Sequence, residues 1–111
     1  MRCLMKVSLP VLEGNAAIAD GSLASTIGSI LADLKPEAVY FSEENGARTA
    51  FLFINMESSS QLPAIAEPWF LAFNAKVEVR PAMTLEDLKN AGPAIESAVK
   101  KYARAARAAS A

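Results

Sequence analysis

The chain has no histidine and one cysteine, Cys3. The first absence removes the usual general base near neutral pH and the commonest metal ligand. The second leaves no internal disulfide and no thiolate zinc cluster. A serine triad, a papain-like pair and a histidine-ligated metal or haem site are excluded together. The glycines stand singly at Gly14, Gly21, Gly28, Gly46 and Gly92, so no glycine-rich phosphate loop is present. No run approaches the roughly 18 consecutive apolar residues of a membrane span. The segment from Arg2 to Pro10 lacks both an unbroken apolar block and a small-residue cleavage site, so no signal peptide is expected. Net charge is −1, without the basic surplus of a nucleic-acid binder. The expectation is a cytoplasmic protein with no metal, no cofactor, no nucleic-acid partner and no membrane partner. Cys3 then reads as a small buried hydrophobe in a reducing compartment.

What is present is a chain of 111 residues, enough for one domain over 1–111. It is 52% apolar, a share inflated by 22 alanines. Cys3, Met5, Val7 and Leu9 alternate with Leu4, Lys6 and Ser8, predicting a strand over 2–9 that Pro10 ends. Asn15 is a candidate cap, but Asp20-Gly21-Ser22 interrupts, so 11–21 reads as loop or short turn. Ile27, Ile30, Leu31 and Leu34 then define one face of a helix from about Ser22 to Lys35-Pro36.

Two β-prone runs, Ala38–Ser42 and Thr49–Ile54, flank Asn45-Gly46, the signature of a type I′ hairpin. Counting outward pairs Glu43 with Arg48, Ser42 with Thr49, Phe41 with Ala50, Tyr40 with Phe51 and Val39 with Leu52. Opposite charges then meet and the faces sort. A second helix carries Leu62, Ile65, Ala66, Trp69 and Phe73 behind Ser58-Ser59-Ser60, with Pro63 tolerated in its first turn. Pro68 lies deeper and is expected to kink or restart it. Asn74 is placed to cap its end. Ala75–Arg80 alternates as a fourth strand. Thr84-Leu85-Glu86-Asp87 resembles a capping box, Asn90-Ala91-Gly92 breaks that helix, and Pro93 opens a last one with Ile95, Val99 and Tyr102 on its face.

The order is β-α-β-β-α-β with a helical extension over about 84–107: an α+β, ferredoxin-like fold with a four-stranded antiparallel sheet. One sheet face collects Val7, Val39, Phe41, Leu52, Ile54, Val77 and Val79, placed under the helices. The other carries Leu4, Lys6, Ser8, Tyr40, Ser42, Phe51, Phe53, Asn55, Lys76, Glu78 and Arg80. It is too aromatic to stay wet and too charged for a monomer core, so the patch at Tyr40, Phe51 and Phe53 calls for a partner.

This layout resembles the dimeric α/β-barrel superfamily, which includes antibiotic-biosynthesis-type monooxygenases and muconolactone-isomerase-like proteins. The segment Glu67-Pro68-Trp69-Phe70 through Leu85-Glu86-Asp87-Leu88 also resembles functionally uncharacterised small bacterial proteins of that fold. The resemblance covers about residues 2–100 at the level of element order. It implies a homodimer with two sheets packed face to face and a C-terminal segment reaching over the partner.

On the residues themselves, Lys6 and Glu78 fall on one face of neighbouring strands, near Arg80 and Lys76. One reading makes them ion pairs in a dimer interface with Tyr40, Phe51 and Phe53. The other has Lys6 or Arg80 hold a carboxylate or enolate while Glu78 transfers protons, should burial raise its pKa. Trp69 and Phe73, with Tyr40 and Arg80, are the candidate lining of a pocket for a flat ligand, against the plainer reading of core aromatics. Glu43-Glu44 and Asn15 with Asp20 read as turn and capping chemistry. Lys100, Lys101, Arg104 and Arg107 suit the negative end of a helix dipole. Two function classes follow: a cofactor-free enzyme or binding protein for a small aromatic or carboxylate-bearing metabolite, or an interaction module whose sheet face serves only dimerisation. A polar-lined cavity of roughly 300 Å³ or more favours the first.

Overall fold

Strand β1 (Arg2–Ser8) occupies the middle of the sheet because it can pair on both edges, and it does so. The structure, a computed structural model, describes residues 1–103. On one side β1 runs antiparallel to β3 (Ala47–Asn55), with Met5 opposite Leu52; on the other it runs antiparallel to β4 (Lys76–Pro81), with Met5 opposite Val79. Strand β2 (Ala38–Glu44) pairs only with β3, giving the order β4-β1-β3-β2. Strands β1 and β2 are therefore parallel with β3 inserted between them. The result is an α+β fold with a four-stranded antiparallel sheet, compatible with a ferredoxin-like arrangement.

The hairpin has the register that outward counting from Asn45-Gly46 requires, including Tyr40 opposite Phe51 and Val39 opposite Leu52. Asn45 and Gly46 both have positive φ, 54° and 78°, as a type I′ turn demands. Glu43 and Arg48 are register partners, yet they form no ion pair. The Glu43 carboxylate turns inward to accept from the Gly46 N–H at 3.1 Å, closing the turn, and Arg48 leans away across the sheet.

The first helical segment departs from expectation. Residues 11–19 are a helix, α1 (Val11–Ala19), with Asn15 inside it rather than capping it. Extended Pro10 delivers the chain into the first turn, and buried Gly14 and Ala17 give α1 a slim face that lies close to the sheet. Asp20 ends it by accepting from the Ser22 N–H at 2.9 Å, and α2 (Leu23–Leu34) follows. Helix α3 (Leu62–Phe73) is entered through a single 3₁₀ turn capped reciprocally by Ser58 and Gln61. It runs through Pro68 without restarting, although proline supplies no N–H to the carbonyl four residues back. Buried Ile65, Trp69 and Phe73 hold the helix to the sheet on both sides of that gap. Asn74 caps it in the left-handed conformation.

The core lies between α1–α3 and one sheet face. Cys3, Met5, Val7, Leu52 and Trp69 are its fully buried side chains. Phe41 belongs to this face by register but is 57% exposed, because β2 is an edge strand that the helices only partly roof. Beyond β4, α4 (Leu85–Asn90) begins at the Thr84–Asp87 capping box, α5 (Gly92–Ala98) follows, and Val99–Ala103 form a π-type turn. This extension carries exposed Leu85, Ile95, Val99 and Tyr102. It also stands away from the body: the Cα radius of gyration is 19.2 Å, against about 13 Å for a compact chain of this length. Arg104 and Arg107 lie outside the described residues.

Candidate functional site

Two regions meet the requirements of a site. The first is the sheet face away from the helices. Strict alternation on β1, β3 and β4 brings Lys6, Phe51 and Glu78 into one cross-strand row, with Tyr40 continuing it on β2. Lys6 Nζ lies 2.8 Å from Glu78 Oε2 and also pairs with Glu44. Arg80 Nη2 approaches the same Glu78 oxygen at 3.5 Å. Glu44 is absent from any reading by strand position, since it sits near the hairpin tip and two strands from Lys6. Its even position on β2 puts it on the open face, but only the structure shows it reaching Lys6.

The electrostatics of this cluster run towards ion pairing. Hydrogen bonding and attraction from Lys6 hold the Glu78 carboxyl below its ordinary value of 4.5. Hydrogen bonds to Glu44 and Glu78 raise the Lys6 ammonium above its ordinary 10.5. A general base near neutral pH needs the opposite shift at Glu78, so the proton-transfer role is not prepared in this chain. The sign for stability follows from linkage. A carboxyl lowered on folding contributes above its unfolded value and loses that contribution as pH falls through its folded value; a raised lysine contributes below 10.5 and loses its share as pH rises through the folded value. Glu78→Gln should therefore narrow the gap in urea midpoint between pH 7 and the acid range below 4.5, measured at one protein concentration. An unchanged acid slope would mean that the Lys6–Glu78 pair contributes nothing in solution.

The second region is a cavity on the helical side, with a volume of about 330 Å³. Its lining is Leu9, Leu23, Ile27, Phe41, Ala50 and Trp69, with Ser42, Arg48 and Thr49. Both strands of the hairpin, α2, α3 and Leu9, just past the end of β1, contribute. The volume passes the threshold set for a ligand pocket, but the walls are apolar rather than polar. Trp69 is wholly buried, and its indole N–H has no acceptor among the described residues. Phe73 lies behind it with ring centroids 6.5 Å apart.

The expected grouping of Trp69, Phe73, Tyr40 and Arg80 in one pocket does not occur within a chain. Trp69 and Phe73 are core side chains on the helical side, whereas Tyr40 and Arg80 stand on the opposite sheet face, because even positions of β2 and β4 point there. In their place the cavity has Phe41 and Arg48. The legible signal for Arg48 was its parity: it falls on the side of Ala50 and Leu52, a charge on an otherwise apolar face. Arg48 crosses to α1, where Nη1 donates to Asn15 Oδ1 at 3.1 Å and passes directly over Gly14. A Cβ at position 14 would lie 2.7 Å from that nitrogen.

Among the described residues no group of three or more histidine, cysteine or acidic side chains is arranged to hold a metal ion, and no helix is long and apolar enough to cross a membrane. Neither the protein-family models nor the curated proteins contain a match to this sequence.

Proposed function

We propose that this chain is a homodimeric ligand-binding protein, its open sheet face packed on that of a second copy as in dimeric α/β barrels, with a small apolar metabolite held on the helical side of each subunit. The cleft of about 330 Å³, open to solvent on one side and within the size range of small-molecule pockets, carries the ligand reading. Its only polar lining residues are Ser42, Thr49 and Arg48. None is an acid–base group near neutral pH, which favours binding over catalysis.

Support for the dimer comes from what the single chain leaves uncovered. Tyr40 is 68% exposed, Phe51 and Phe53 are half-buried, and the extension presents apolar side chains to solvent. The Lys6–Glu44–Glu78 cluster is internally paired, so covering it would bury ions that already have partners. Native mass spectrometry of the full chain tests both parts. A dimer with an added small-molecule mass is the expected result. A dimer without it leaves the face as an assembly surface only, and a monomer at micromolar concentration removes the barrel.

A further inference from the structure

The helix-side cavity has an apolar interior and, among the described residues, one charged lining residue, Arg48. Building on the ligand-binding reading, we infer that its ligand is a monocarboxylate with an apolar body, and that Arg48 holds the carboxylate.

Three features of Arg48 point this way. Its guanidinium has no carboxylate within 4.0 Å among the described residues, and its register partner Glu43 is committed to the Gly46 N–H. The side chain it does bond, Asn15, is neutral. A planar guanidinium left without an anion matches a carboxylate through two parallel N–H···O bonds. Because Arg48 is exposed while Trp69 and Ala50 are buried, a ligand would keep its head at the mouth and its body inside. One arginine complements one negative charge, which selects a monocarboxylate over a phosphate dianion. Gly14 belongs to the same device. A Cβ there would lie 2.7 Å from Nη1, so a side chain at position 14 would shift the guanidinium off its place against α1.

Decanoate and decanol, identical in chain and different in head, separate the inference from the reading beneath it. Binding to the full-length protein is followed by calorimetry and by fluorescence of Trp69, the only tryptophan. Decanoate should bind at least about tenfold tighter than decanol, the size of one charge-assisted hydrogen bond. Arg48→Met should remove that advantage and bring the two affinities together. Gly14→Ala keeps the guanidinium but displaces it, and should weaken decanoate alone; it also covers the case in which Arg48→Met fails to fold. Equal affinities for the two ligands, insensitive to both substitutions, would overturn the role of Arg48 while the pocket stands. Binding of neither ligand would overturn the pocket itself.

Discussion

Trp69→Ala is expected to lower the free energy of unfolding by about 3–5 kcal/mol, the range for removing a buried aromatic side chain. Chains of this size have roughly 5–15 kcal/mol in total, so the loss is a large fraction of what holds the fold. The reason is position. Trp69 is wholly buried, stacks obliquely on Phe73 and forms one wall of an existing cavity, so its loss enlarges a void already present. Trp69→Phe should cost distinctly less. It keeps an aromatic ring and removes an indole N–H that has no acceptor among the described residues, and an unsatisfied buried donor costs about 1–3 kcal/mol. Urea unfolding followed by far-ultraviolet circular dichroism measures both variants without relying on the lost fluorophore. A cost below about 1 kcal/mol for the alanine variant would show that the ring is not packed as described.

Tyr40→Glu should convert the proposed dimer to monomer while leaving each chain folded. In the single chain Tyr40 is 68% exposed, so the substitution touches little of the monomer's own packing. Tyr40 lies opposite Phe51 on the open sheet face, the face that the proposed dimer would pack against a second copy. A buried aromatic anchor is worth at least about 2 kcal/mol at such a surface, and a carboxylate without a partner there costs further. Dissociation should rise by at least about thirtyfold. Sedimentation velocity over a concentration series, with circular dichroism as the folding control, reads the two effects separately. If Tyr40→Glu sediments like the parent dimer, the interface lies elsewhere. The exposed apolar residues of α4 and α5 would then be the next surface to test.

The two variants divide along the sheet, one on each side of it. That division explains why the sequence reading succeeded for one face and failed for the pocket. Alternation on β1 and the Asn45-Gly46 turn were enough to place every cross-strand pair of the hairpin, because side chains change face at each residue and the turn sets the count. The capping box at Thr84–Asp87 and the left-handed cap at Asn74 were equally local and equally legible. Tyr40 and Arg80 share no pocket with Trp69 because the same parity rule, applied across elements, puts them on the opposite sheet face.

By itself, then, the sequence determined the element order, the hairpin register, the two faces of the sheet and the exclusion of histidine and disulfide chemistry. Each depends on residues adjacent in the chain or on composition. Only the tertiary structure decided that 11–19 is helical, since slim Gly14 and Ala17 gain from packing against a sheet built largely from distant residues. Only it decided that Glu44 reaches Lys6 across two strands, and that Arg48 leaves its hairpin partner for α1. The cavity is of the same kind. It is the space between four elements whose separation depends on how helices settle on a twisted sheet, and no window of sequence contains that distance.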